Sequence, residues 1–264
     1  MPENINFKSG YSKVNGINMY YQIYGEGKPL VLIHGGGSTI ETNYEKIIPL
    51  FAKKHMVIAM ELQAHGRTTD RDKPLSFEQD ADDVATLLNN LKITKADVLG
   101  FSNGGQTAIE IALRYPELIN KLILASTFCN RHGVFPQFWD IFKNANLKDM
   151  PQPLQDGFLK VNNDSTALLK MFNRDVERMQ NFKGWSNEQI KSIKAHTLIM
   201  NGTKDVATVE HAVEMHRLIP NSDLAILPGG HGQYLGEVTT LVNGKWEYIY
   251  STELIEEFLN SSKQ

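Results

Sequence analysis

Short apolar runs alternate along this chain with segments long enough for a helix, and that alternation, broken once, limits the folds open to it. Leu30–Ile33, Met56–Met60, Asp97–Gly100, Lys121–Ser126, His196–Asn201 and Leu224–Leu227 span four to six residues each. Such runs are too short for helices and fit buried strands. Between them, residues 76–92 open on Ser76, a capping hydroxyl with Gln79 three positions on, and set Ala81, Val84, Leu87, Leu88 and Leu91 on one helical face. Further helices are expected over 104–115 and about 208–218, stopped by Pro116 and Pro220. Residues 10–15 and 17–24 flank Asn15-Gly16, a hairpin dipeptide. Strand, helix, strand in repetition implies parallel pairing with helices on both faces, an α/β doubly wound sheet.

The rhythm breaks between residues 129 and 193, where aromatic residues from Phe135 to Trp185 sit in helix-length segments without a strand pattern. This stretch is read as a helical cap inserted in a core domain made of 1–128 and 194–264. A chain of 264 residues, 41% hydrophobic and 22% charged, can build such a core without disulfides or metals. Twenty-seven Lys and Arg against 30 Asp and Glu give a net charge of −3, with no basic run to neutralise a phosphate backbone, so nucleic acid is not an expected partner. Neither a signal peptide nor a bilayer-spanning apolar stretch can be read, so the mature protein is expected to be the whole chain, away from the membrane. The single cysteine, Cys129, fits a reducing compartment, and the cytoplasm is expected.

Gly100-Phe101-Ser102-Asn103-Gly104 is a G-x-S-x-G pattern placed where a buried strand hands over to a helix. A nucleophile on so sharp a turn needs neighbours without side chains, which Gly100, Gly104 and Gly105 provide. The turn also sets the Ser102 hydroxyl at a helix N-terminus, which favours developing negative charge. A serine hydroxyl needs a base within hydrogen-bond reach and a third group to orient that base. Of the eight histidines, His55 and His196 precede strands, His211 and His216 lie in a helix and His132 in the cap. Only loops at the carboxyl ends of parallel strands share the edge of Ser102. His34, His65 and His231 qualify, and His231, in the glycine loop Pro-Gly-Gly-His-Gly after the last strand, is the preferred base. Asp205, four residues past Asn201, is the preferred acid, because the loop at Ser126-Thr127 has no carboxylate. The loop His34-Gly35-Gly36-Gly37 can turn backbone N–H groups toward an oxyanion; Gly36, with Gly37 in contention, and Asn103 are the expected donors. No dinucleotide or nucleoside triphosphate loop is present, and His211 and His216, five apart, do not share a face as a metal-binding helical pair does, so neither cofactor nor metal is expected.

With these motifs in this order, together with Ala64-His65-Gly66-Arg67-Thr68 and Gly202-Thr203-Lys204-Asp205, the chain resembles the α/β-hydrolases, specifically the small, cap-bearing, esterase-like members. The resemblance implies Ser102 as nucleophile, Asp205 as acid, His231 as base, and Gly36 and Asn103 as the oxyanion hole. It also implies hydrolysis of a carboxylic ester or related acyl compound, with C–C bond hydrolysis, lactone opening, perhydrolysis or a low-turnover ligand receptor as alternatives on the same triad. Serine at the nucleophile position argues against the dehalogenase and epoxide hydrolase branches, which use aspartate. The aromatic cap suggests a small apolar acyl substrate, touched by Phe101 and Trp139. Departures from the family are Glu61 where Asp is usual, Gln63-Ala64 before the glycine, and an extra hairpin over 238–250 that would extend the sheet edge or contact a second subunit in a homo-oligomer.

Overall fold

A computed structural model of the chain describes residues 6–246 and 250–261. Eight strands form one sheet: β1 (Phe7–Val14), β2 (Ile17–Tyr24), β3 (Lys28–Ile33), β4 (His55–Met60), β5 (Ala96–Phe101), β6 (Ile119–Ala125), β7 (His196–Lys204) and β8 (Ser222–Gly230), in the order β1-β2-β4-β3-β5-β6-β7-β8. β1 and β2 form the hairpin expected around Asn15-Gly16, β2 runs antiparallel to β4, and the strands from β4 to β8 are mutually parallel. The helices are α1 (Ile40–Tyr44), α2 (Ile48–Phe51), α3 (Phe77–Asn90), α4 (Asn103–Arg114), α5 (Phe138–Lys143), α6 (Gln152–Val161), α7 (Ser165–Asn181), α8 (Asn187–Lys191), α9 (Val209–Leu218) and α10 (Tyr250–Asn260).

Side chains alternate across a strand, so β3 divides its residues between two cores. Val31 and Ile33 pack with Ala81, Val84 and Leu88 of α3, Ile109 of α4 and Met215 of α9. Leu30 and Leu32 face the other way, onto Tyr44, Phe51 and, from α10, Ile255 and Phe258. The chain crosses from β3 to β4 on one side and returns to β5 on the other. The loops after β3 and β5 therefore diverge, opening a crevice at the carboxyl edge of the sheet.

Helices α5 to α8 fill the stretch between β6 and β7. Its neck is closed by the Trp185 N–H donating to the Cys129 carbonyl (2.9 Å) and by an antiparallel bridge between Asn130 and Gly184. α5 to α7 pack through two apolar clusters shared with the core, one reaching Phe77, Phe128 and Ala207 and the other Ala64, whereas Ile190 and Ile193 belong to the main core.

Some local expectations are corrected. The Ser76 hydroxyl caps α3 by accepting from the Gln79 N–H at 3.1 Å, but the Gln79 amide binds Asp83 (3.0 Å), so the reciprocal half of the capping box is missing. Among the described residues the extra hairpin adds no strand to the sheet. Thr239 N–H donates to the Glu237 carboxylate and Thr240 Oγ1 to the Glu237 carbonyl, curling the first arm into a short 3-10 turn. Among the described residues only a single bridge, Val242 to Lys245, closes around Asn243-Gly244; residues 247–249 of the expected second arm lie outside them.

α4 comes close to β3 at Gly104, where an added Cβ would stand 2.1 Å from the Ile33 carbonyl oxygen. Backbone cannot give way as a side chain tip can. Gly104→Ala is therefore expected to destabilise the protein by about 2–4 kcal/mol, read as a lowered midpoint of urea unfolding at unchanged slope.

Candidate active site

Ser102 stands between β5 and α4 with φ 53° and ψ −122°, a backbone conformation that costs a non-glycine residue on the order of 1–3 kcal/mol. The turn is held from both sides: Ser102 N–H donates to the Ala125 carbonyl (2.9 Å), and the Thr127 hydroxyl donates to the Ser102 carbonyl (2.9 Å). Its side chain is thereby lifted off the strand to the mouth of α4.

His231, just past β8, brings Nε2 to 3.0 Å from Ser102 Oγ, while its Nδ1 lies 2.6 Å from Asp205 Oδ1. The Phe101 ring packs against the imidazole with centroids 4.8 Å apart, backing it from the core side. Asp205 follows β7, and every bond it makes favours the charged form: Val206 N–H donates to Oδ1, while Gly202 N–H and the Ser126 hydroxyl donate to Oδ2. Burial pushes this carboxyl up, but the His231 contact, Ser126 and the Gly202 N–H outweigh it and hold the group below the usual carboxylate range. Ser126 is itself gripped by the buried Tyr234 hydroxyl at 2.8 Å. An ionised carboxylate oriented on Nδ1 leaves Nε2 free to take a proton from the serine hydroxyl.

The loop after β3 lies against this turn. A Cβ on Gly35 would meet Ser102 Cβ at 3.1 Å, and one on Gly36 would meet Asn103 Nδ2 at 2.6 Å. Three consecutive N–H groups are sorted here. Gly35 donates to Asn43 Oδ1 (2.7 Å) and Gly37 to Asp175 Oδ2 (2.7 Å). The Gly36 N–H meets no acceptor among the described residues. Its direction is set through the preceding carbonyl. His34 Nε2 accepts from Leu62 N–H (3.0 Å), so the proton sits on Nδ1 and is donated to the Gly35 oxygen at 2.7 Å. Burial keeps this ring neutral, pushing its pKa down to about 3. Asn103, the first residue of α4, likewise has an N–H with no intrahelical partner.

A cavity of about 290 Å³ opens over Ser102, Asn103, Gly36 and His231. A sequence model of the alpha/beta hydrolase fold matches residues 28–181, more than half of the chain. The chain belongs to the alpha/beta hydrolase fold family. It is 30% identical over 233 residues to the human serine hydrolase BPHL, covering 82% of this chain and 77% of that protein. It is 25% identical over 264 residues to the 2-hydroxy-6-oxo-6-(2'-aminophenyl)hexa-2,4-dienoic acid hydrolase of Metapseudomonas resinovorans, covering 90% of each. Among solved structures, a meta-cleavage product hydrolase from Pseudomonas fluorescens superposes with a TM-score of 0.76 at 22% identity, over 98% of this chain and 99% of that one. These relatives are hydrolases, and this chain is a hydrolase of the same family.

In this hydrolase the structure brings Ser102, His231, Asp205, Gly36 and Asn103 together, and leaves both expected substrate contacts outside the cavity wall. Phe101 turns into the core behind His231. On α5 the wall is made by Phe138, Ile141 and Phe142, three and four residues apart on one face; Trp139 is rotated about 100° from Phe138 and instead stacks on Phe182 beneath the Arg131 guanidinium. His132, His211 and Glu214 bring their ligand-type atoms within 4.8 Å of one another. His211 Nε2 accepts from the Cys129 N–H (3.1 Å), so Nδ1 carries the proton and donates to Glu214 (2.8 Å), a tautomer that turns no lone pair toward an ion.

Spacing alone gave no sign of a buried charge cluster beside the site. His65 meets two acceptors, the Gln63 carbonyl (2.9 Å) and Asp175 Oδ2 (3.0 Å), and so holds a proton on each nitrogen. Asp175 also binds Arg178 (2.5 Å), which reaches Asp80 on α3 (2.7 Å). Burial opposes protonation of His65, but the charge and hydrogen bond of Asp175 win and raise its pKa above the ordinary 6.5. A raised folded-state pKa means stability present in full below pH 6.5 and lost as pH climbs through the folded value. As pH rises above 6.5 the melting temperature is expected to fall more steeply in the native chain than in His65→Gln, which cannot titrate; parallel curves would count against the charged imidazole.

Proposed function

We propose that this hydrolase cleaves small, uncharged carboxylic esters through an acyl-enzyme. Ser102 Oγ attacks the carbonyl carbon as its proton passes to His231 Nε2, and Asp205 stabilises the imidazolium that forms. The Gly36 and Asn103 N–H groups receive the oxyanion. Collapse breaks the carbonyl–oxygen bond, His231 returns the proton to the leaving alkoxide, and water repeats the cycle to release the acid.

The observation that carries the choice of substrate is the wall of the cavity. Phe128, Phe138, Phe142, Met150, Met171 and Phe172 make it largely apolar, and among the described residues its only carboxylates are Asp149 and Asp175 and no lysine or arginine lines it. Such a wall supports a neutral acyl group, and about 290 Å³ supports a short one. The dienoic acid that names the Metapseudomonas relative carries a carboxylate of its own. Here it would face two acids and no cation, which weighs against C–C hydrolysis of such acids in this chain. Lactones present the same neutral carbonyl and are the second reading. A single, buried cysteine supports the cytoplasm as the working compartment.

Ser102→Ala is expected to lower kcat/KM for p-nitrophenyl butyrate by on the order of 10⁴-fold or more without moving the melting temperature by more than a degree or two; steady turnover at the native rate would overturn the assignment. Against the same chromophore, the butyrate ester should exceed the mono-succinate ester in kcat/KM by at least about 10-fold, since burying the extra carboxylate near Asp175 costs over about 1.4 kcal/mol. Phe142→Ala should shift the acyl-length optimum upward, and Trp139→Ala should leave it in place.

A further inference from the structure

We propose that Asp175, on the inserted helix α7, is a positioning residue for the oxyanion loop. The inference rests on the reading of Gly36 N–H as an oxyanion donor. Two peptide groups flank the Gly36 Cα. The first, Gly35 carbonyl to Gly36 N–H, is gripped by His34 Nδ1 on the carbonyl oxygen at 2.7 Å. The second, Gly36 carbonyl to Gly37 N–H, is gripped by Asp175 Oδ2 on the N–H at 2.7 Å, with the Ser38 hydroxyl a longer 3.3 Å from the carbonyl oxygen. Gly37 sits at φ +67°, where glycine has wide freedom, so without Asp175 this peptide can rotate and the Gly36 Cα is held from the His34 side alone, which lets the loop bearing the Gly36 N–H shift.

The geometry also shows how firmly the group is held. Asp175 Oδ2 is shared between Gly37 N–H and His65 Nε2, and Oδ1 is taken by Arg178. Its position is thus fixed by two cations, one from the loop after β4 and one a turn along its own helix. A carboxylate accepting a backbone N–H makes a stronger bond than a neutral acceptor would. The consequence is that the oxyanion hole of this chain is completed across the boundary between core and insertion: the core places the donor, and α7 fixes the peptide beside it.

Steady-state kinetics with p-nitrophenyl acetate test this. Asp175→Ala is expected to lower kcat by about 10–100-fold, short of the 10²–10³ lost when a donor itself is removed, with KM changed less than about threefold. Asp175→Asn, whose amide oxygen can still accept from Gly37, should recover most of that loss. Because Asp175→Ala strands two buried cations and can fail to fold, the double variant His65→Leu/Asp175→Leu removes the acceptor and one cation together and should show the same fall in kcat. Asp80→Asn loosens the attachment of Arg178 to α3 without touching Gly37, and should keep native kcat.

Native kcat in folded Asp175→Ala or in the double variant overturns the inference. So does an equal fall in Asp80→Asn, which would trace the effect to docking of the insertion. Ser102→Ala separates the two levels: if it is inert while Asp175→Ala is normal, only the positioning role fails, and if it stays active the hydrolase reading of the site fails with it.

Discussion

Everything at the carboxyl edge of this sheet is arranged around a backbone that does not relax. Ser102 occupies a region of φ and ψ that a free serine avoids, and holding it there requires contacts that outweigh the strain. The Ala125 carbonyl at the end of the neighbouring strand β6 and the Thr127 hydroxyl just past it supply them, while Gly104 lets α4 come within reach of the Ile33 carbonyl. β5 lies between β3 and β6, so the turn is braced on both sides by strands whose own ends carry loops of the site. Rigidity is inherited from the sheet. The sharp turn then has two chemical effects at once, since it lifts a hydroxyl clear of the strand and leaves the first N–H of a helix unpartnered beside it.

The remaining groups reach Ser102 because parallel strands end on one edge. β7 delivers Asp205 and β8 delivers His231, and each is fixed by contacts to the strand beside it. The Asp205 carboxylate is clasped by Ser126, at the end of β6, and by the Gly202 N–H of its own strand; Tyr234, which follows His231, closes back onto Ser126 and the Met200 carbonyl. This ring of bonds joins the ends of β6, β7 and β8. An aspartate so placed has no freedom to follow a moving imidazole, so the orientation of His231 is set by the sheet and not by the loop in which it lies.

Those features were legible in the chain because they depend on local rules. Strand runs, glycines at the turn and the order of loops after strands are properties of short windows, and a parallel sheet converts order along the chain into position on an edge. What could not be read depends on contacts between distant segments. Trp139 looked like a cavity residue by type, yet which of Phe138, Trp139 and Phe142 faces the serine depends on how a six-residue helix is rolled on Phe128 and Phe182. Asp175 lies 138 residues from Gly37 and in an unremarkable helical stretch, so its role rests wholly on the docking of α7. His65 was weighed as a base from its place after a strand. Its two acceptors, Gln63 and Asp175, favour the doubly protonated ring and make it a strut instead. The first arm of the 238–250 hairpin is lost for a local reason that a turn dipeptide cannot reveal, since Glu237 captures Thr239 and Thr240 before a strand can extend.

The charge cluster joining insertion to core has a cost that helps explain its composition. Four buried ionisable groups, His65, Asp80, Asp175 and Arg178, carry two charges of each sign, and burying them is favourable only with every partner in place. An apolar contact could dock α7 more cheaply, and the clusters around Phe182 and Met171 already do so. What an apolar contact cannot do is hold a backbone N–H in one direction. The polar cluster therefore makes sense where direction matters, beside Gly37, and its neutrality has a second effect. With both cations turned inward to their carboxylates, neither His65 nor Arg178 reaches the cavity above Ser102, whose described wall holds no lysine or arginine.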